Sequence, residues 1–229
     1  ESRRPAARDL VDFPEVAERA RLTHAALTDI KPRTFVAPKA LGPVRYDDFG
    51  DIAEECAMFK RALAENGQPF RECFMTAASP GVVAFVMENA HYDSHEAYVF
   101  ALAREMRKEY EYIHQQGFVL QLDCPDLANE YAKRFWDKPI GDYRKVIEIH
   151  VAALNEAIAG IPTDRVRLHL CYGNYEAPHT HDPALADIID IVFTARVGAI
   201  SIELCNPRHQ HELKVLRDRP LPDGMVLIP

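Results

Sequence analysis

Three short stretches of the 229-residue chain set chemically capable side chains at alternate positions among aliphatic ones. They are Leu120-Gln121-Leu122-Asp123, Leu168-His169-Leu170-Cys171 and Ile200-Ser201-Ile202-Glu203-Leu204-Cys205. Each reads as a β-strand, because side chains two residues apart share one face. His169 and Cys171 then stand on one face, about 6.5–7 Å apart along the backbone. From there an imidazole nitrogen and a thiolate sulfur can reach one metal ion. Glu203, on a neighbouring strand, adds an oxygen, and zinc accepts such a set at roughly 2.0–2.3 Å. Three protein ligands leave one position open to a substrate, whereas four close the site. A substrate thiol in the open position is a thiolate at neutral pH, which makes a sulfur nucleophile without a general base.

Other readings compete. His179-Thr180-His181-Asp182 and His209-Gln210-His211 follow two of these strands, and each His-x-His pair is a rival ligand set. In loops and helix starts such pairs are more often solvated. His91, Asp93 and His95 carry a weaker case still. Tyr172, Asn174 and Tyr175 lie just past His-x-Cys, and either contact a ligand or shape the loop. Cys171 could be a small buried hydrophobe, and Glu203 a buried carboxylate partnered by Arg208 or a backbone donor. Glycine is sparse, 10 of 229 residues, with no Gly-x-Gly-x-x-Gly and no phosphate-binding loop, which disfavours a nucleotide cofactor. No Gly-x-Ser-x-Gly nucleophile turn occurs. Ser79-Pro80-Gly81 reads as a turn.

The elements that would position these residues alternate in type. Residues 1–50 are interrupted by Pro5, Pro14, Pro32, Pro38 and Pro43, with one helix over 13–26 and short strands at 33–37 and 44–46. A helix over 46–66 follows, with Ile52, Cys56, Phe59 and Leu63 at helical spacing. Strands are then expected at 72–77, 118–123, 166–171, 199–205 and 225–228. Helices fall at 94–116, 143–159, 183–195 and 210–217. Tyr98, Leu102, Met106, Tyr110 and Ile113 stripe the first of these, and Val146, Ile149, Ala153 and Ile158 the second. Strand–helix alternation implies a parallel sheet covered by helices, in a barrel or a doubly wound fold. In α/β barrels the carboxyl ends of the strands carry the active site. That placement gathers Asp123, His169, Cys171 and Glu203 at one mouth.

Composition narrows the class. Hydrophobic residues make up 48% and charged residues 27%, as in folded globular proteins. A net charge of −8 argues against a nucleic-acid partner. No apolar run approaches the roughly 20 residues of a membrane helix, so no membrane partner is expected. The opening Glu1-Ser2-Arg3-Arg4-Pro5 does not read as a secretory leader. Five cysteines, an odd number at irregular spacing, fit a reducing, cytoplasmic compartment. The chain begins without Met and stops within a strand, as a piece of a longer polypeptide would. Whether it forms a homo-oligomer is left open.

Four motifs in order resemble successive strands of the cobalamin-independent methionine synthase family, and more closely its short single-barrel relatives, which include the epoxyalkane:coenzyme M transferases. They are Phe74-Met75-Thr76-Ala77-Ala78-Ser79-Pro80-Gly81, Leu120 through Ala128, Leu168-His169-Leu170-Cys171-Tyr172-Gly173-Asn174-Tyr175, and Ile200 through His209. The resemblance covers roughly residues 71–229. It implies an α/β fold, a (β/α)8 TIM-type barrel of the methionine synthase/uroporphyrinogen decarboxylase superfamily, incomplete in this chain with five of eight strands. Residues 1–70 would then be an irregular segment and helix leading into a partial barrel at 71–229. It further implies zinc held by His169, Cys171 and Glu203, with the family's last cysteine ligand not matched by Cys205. Asp123 would be the catalytic residue that binds a cationic group of the substrate, with Asn174 and Arg208 as further substrate contacts. The implied activity is methyl or alkyl transfer from a donor to a small-molecule thiol. The alternatives are a metal-free lyase like uroporphyrinogen decarboxylase, or a non-catalytic, degenerate barrel.

Overall fold

The computed structural model describes residues 8–27, 37–67, 70–173 and 178–229. In chain order the elements are α1 (Arg8–Asp12), α2 (Pro14–Leu27), β1 (Lys39–Ala40), α3 (Gly50–Asn66), β2 (Phe74–Ala78), α4 (Pro80–Val86), β3 (Glu88–Asn89) and α5 (His95–Gln115). Then come β4 (Val119–Asp123), α6 (Tyr131–Arg134), α7 (Ile140–Ala157), β5 (Val166–Leu170), α8 (Leu185–Val192), β6 (Ala199–Ile202), α9 (Val215–Asp218) and β7 (Val226–Ile228). The strands β2-β4-β5-β6-β7 form one parallel sheet in that order. Among the described residues β2 and β7 are open edges, so the sheet is an arc of a (β/α) barrel and does not close.

Alternation decides the two faces. Leu120, Leu122, Leu168, Leu170, Ile200 and Ile202 are at most 1% exposed. They form one core with the apolar stripes of α5, α7 and α8. Gln121, Asp123, Arg167, His169 and Ser201 occupy the other face and are half-buried. That face is the interior of the arc. The α5 stripe falls where the sequence places it, with Tyr98, Leu102, Tyr110 and Ile113 buried. The α7 stripe agrees in part: Ala153 and Ile158 are buried as expected, but Val146 and Ile149 are only half-buried, and Tyr143, Ile147, Val151 and Leu154 fill the buried face. Among the described residues, no helix is long and apolar enough to cross a membrane.

Three local expectations need correction. Residues 79–81 do not form a simple turn but open α4: Ser79 Oγ accepts a hydrogen bond from Val82 N at 3.1 Å and Pro80 occupies the first helical turn. Serine at the cap and proline just inside are helix-start signals, but α4 follows directly on β2 and its 7 residues are too few for a helical apolar period to stand out. Residues 44–46 form no strand; the short parallel pair is Lys39–Ala40 with Glu88–Asn89. The helix expected from residue 46 starts at Gly50. Most of the strand expected at 33–37 lies outside the described residues.

A buried polar chain ties the sheet to its helices. Ser79 Oγ donates to Asp126 Oδ1 at 2.5 Å, and Asp126 Oδ2 meets His150 Nδ1 at 2.8 Å. His150 Nε2 meets His95 Nε2 at 2.8 Å. With His150 Nδ1–H donating to Asp126 Oδ2, His150 Nε2 accepts from His95 Nε2–H. Burial holds the His95 pKa down to about 4, so that imidazole stays neutral and can donate. Gly81 lies against this chain. A Cβ there would sit well inside van der Waals contact of Asp126 Oδ2 and His150 Nδ1. Gly81→Ala is therefore expected to cost roughly 2–4 kcal/mol, from overpacking and a broken buried hydrogen bond. Urea unfolding followed by circular dichroism checks this, and an unchanged midpoint would overturn it.

Candidate functional site

Register brings the predicted residues side by side. Asp123 of β4 pairs with His169 of β5, which pairs with Ser201 of β6. These positions are the carboxyl ends of the strands. His169 Nδ1 lies 2.8 Å from Asp123 Oδ1. Asp123, His169 and Cys171 each bring one ligand atom within 4.8 Å of the others. Cys171 Sγ accepts a hydrogen bond from Gly173 N at 3.3 Å. The group thus presents oxygen, nitrogen and sulfur on one rim.

Glu203 stands one step away from this cluster. β6 ends at Ile202, and Leu204 N–H turns back to Ile202 O at 2.8 Å. That tight turn interrupts the alternation that the sequence suggests through Cys205, and Cys205 is exposed. Glu203 Oε2 accepts from Asn206 Nδ2 at 3.5 Å, and its charge still acts on His169. Arg208 is exposed, and its backbone N–H donates to Asn206 Oδ1 at 3.0 Å. Asn174 lies outside the described residues.

The electrostatics of the rim follow from these contacts. The hydrogen bond to Asp123 raises the His169 pKa above the ordinary imidazole value, with desolvation opposing and the charges of Asp123 and Glu203 assisting. Burial pushes the Cys171 thiol up. A metal-free Cys171 is consequently protonated near neutrality, and coordination of its sulfur must release that proton. Donation from Nδ1 to Asp123 also fixes one tautomer of His169 and leaves Nε2 as the lone-pair nitrogen.

A second group draws on the two His-x-His pairs, which in the sequence stand as separate sets. The structure takes one histidine from each pair and adds Asp182. His179 Nδ1 lies 2.8 Å from Asp182 Oδ2, and His209 Nε2 lies 3.4 Å from the same oxygen. His181 turns away instead to Asp12, at 2.7 Å. No spacing rule within either loop signals this grouping, because its members come from two loops that meet only in the fold. The sheet also carries a cavity of about 370 Å³, lined by Glu72, Phe74, Thr163, Arg167, Gly198 and Val226 among others. It lies toward the amino ends of the strands, away from both groups.

No protein-family model matches the chain. Two curated proteins do. The methionine synthase of Thermococcus kodakarensis is 28% identical over 150 residues, which is 64% of this chain and 38% of that protein. The methionine synthase of Pyrococcus abyssi is 29% identical over 150 residues, 64% of this chain and 37% of that protein. The chain therefore spans less than two-fifths of the curated relatives it matches. Among solved structures, a B12-independent methionine synthase from Shewanella sp. W3-18-1, in complex with selenomethionine, matches with a TM-score of 0.55 at 19% identity. That match covers 81% of this chain and 50% of that one, and it shows the shared fold.

The His169–Asp123 contact makes a pH prediction. A raised imidazole pKa contributes stability that is present below the unfolded value of about 6.5 and is lost as pH rises through the folded value. Asp123→Asn removes the main cause, so the His169 pKa should fall to the ordinary value or below, where desolvation dominates. Proton NMR titration of the metal-free protein reads this directly. A His169 titration that is the same in both proteins would refute it.

Proposed function

We propose that this chain, a relative of the cobalamin-independent methionine synthases, carries the thiol-activating site of a zinc-dependent methyl or alkyl transferase. The observation that supports this most directly is the convergence of Asp123, His169 and Cys171 at the carboxyl ends of adjacent parallel strands. The donor set fits zinc, which takes imidazole nitrogen, thiolate sulfur and carboxylate oxygen. His169 and Cys171 would hold the ion, with Glu203 as the third ligand. When bound, zinc supplies Lewis acidity that keeps a substrate sulfur as thiolate at neutral pH.

The protein's own groups have separable tasks. Asp123 Oδ1 holds the His169 ring in one orientation through the 2.8 Å contact at Nδ1, which leaves Nε2 as the nitrogen that would take the ion. The Asp123 side chain remains 41% exposed, which leaves its carboxylate accessible to a substrate ammonium group. Asn206 restrains Glu203 and receives the Arg208 backbone, which ties both residues to one turn. Arg208 itself is exposed and suits an anionic portion of donor or acceptor. Asn174 keeps a substrate-contact role on the strength of its position beside the motif.

Substrate class follows from the same reading. The acceptor is a small thiol, either homocysteine-like with an ammonium group for Asp123 or coenzyme-M-like with a sulfonate for Arg208. The Shewanella protein is in complex with selenomethionine, an amino-acid selenoether, which accords with a homocysteine-like acceptor. All five cysteines are free, which accords with a reducing, cytoplasmic setting.

Metal analysis by mass spectrometry tests the proposal. The His169→Ala, Cys171→Ser double variant should hold one equivalent of zinc less than the unaltered chain. Asp123→Asn should retain the ion with affinity lowered roughly 10–100-fold. Equal zinc in the unaltered chain and the double variant would remove the zinc-thiol reading and favour a metal-free lyase or a non-catalytic barrel.

A further inference from the structure

We infer that His179, Asp182 and His209 form a second divalent-metal site, separate from the Asp123–His169–Cys171 group. The three offer ligand atoms within 4.8 Å of one another. Their side chains are 3%, 6% and 5% exposed, so the group is enclosed, unlike the rim at His169. Two of its polar atoms have no hydrogen-bond partner. Asp182 Oδ1 is one, and His209 Nε2 is the other despite lying 3.4 Å from Asp182 Oδ2. Buried carboxylate and imidazole atoms are seldom left in this condition, because each keeps the full cost of its lost hydration. An ion seated between them satisfies both.

The surroundings aim these atoms. The His209 ring stacks on Tyr172, with centroids 4.1 Å apart and planes 17° from parallel. It meets His179 edge-on, with centroids 5.7 Å apart. Backbone hydrogen bonds hold the two loops as well, one reaching α1 and one closing the turn after β6. Thr180 N donates to Asp9 Oδ1 at 2.9 Å, and His209 N donates to Asn206 Oδ1 at 2.9 Å. The ligand positions are therefore restrained, one loop by α1 and the other by its own turn, before any ion arrives.

Two imidazoles and one carboxylate select a first-row divalent ion. Zinc, cobalt(II), nickel(II) and iron(II) accept that set, whereas calcium and magnesium prefer oxygen alone. The enclosure points to a structural role. The ion would clip residues 179–182 to the segment after β6 and, through Tyr172 under His209, back the residue next to Cys171.

Cobalt(II) titration of the His169→Ala, Cys171→Ser variant tests this site without relying on the first. The expected result is one bound equivalent, with visible ligand-field bands and no thiolate-to-cobalt charge-transfer band. Adding Asp182→Asn, or separately His209→Gln, should weaken that binding at least 100-fold while far-ultraviolet circular dichroism stays native. The unaltered chain should take two equivalents, one with the charge-transfer band. Failure of the natively folded double variant to bind cobalt would overturn the proposal and leave a buried hydrogen-bonded triad. Binding that survives both added substitutions would also overturn it. Loss of only the charge-transfer equivalent concerns the first site, so the two readings fail separately.

Discussion

The polar residues at the carboxyl ends of β4, β5 and β6 owe their positions to the aliphatic residues beside them. Leu120, Leu122, Leu168, Leu170, Ile200 and Ile202 must leave water, and the helices offer one covered face. At about 25 cal/mol per Å² of apolar surface, each such side chain contributes roughly 1.5–3 kcal/mol when buried. A slip of one residue in any strand would turn its leucines into the arc's interior and its polar residues against the helices, so register is strongly specified. Asp123 and His169 meet because the leucines on either side of them are pinned. The rim chemistry is thus set by core packing and not by any attraction among the polar groups.

That dependence explains what could be read from the sequence. Alternation placed Asp123, His169 and Cys171 on one face because it is a local, period-two signal backed by burial. The same signal misled beyond Ile202, where a turn at Leu204 replaces extended chain and sends Cys205 to the surface. Leu204 is itself buried, so the apolar pattern continues although the strand does not. The first half of the α7 stripe differs from the sequence pattern for a related reason. Tyr143 and His150 lie on its buried face, and their polar atoms are satisfied by Asp126, a residue a sequence pattern cannot connect to them. The His179–Asp182–His209 group was invisible as a unit, since its definition is the meeting of two loops.

Two histidine–aspartate contacts in the molecule show how exposure changes the meaning of one interaction. His169 and Asp123 lie on a half-open rim, where the contact raises the imidazole pKa and leaves a nitrogen available. His150 and Asp126 are each about 2% exposed or less, and the second imidazole nitrogen is already taken by His95. The first arrangement can exchange a proton or ligand with its surroundings. The second is a strut whose polar atoms are spoken for, and its removal would leave buried groups unpaired.

The grip of α1 on the loop before α8 has a consequence for how the chain assembles. Asp9 receives Thr180 and Asp12 receives His181, pairs separated by 171 and 169 residues. Arg8 also lies over the Trp136 ring at 4.3 Å. Contacts of such sequence separation form late, because the loop they close is long and the gain arrives only once both ends are in place. The sheet and its covering helices have a self-sufficient order of assembly from β2 to β7, each strand adding beside an earlier one. The segment bearing His179 and Asp182 does not: it takes its final shape when α1 packs against it.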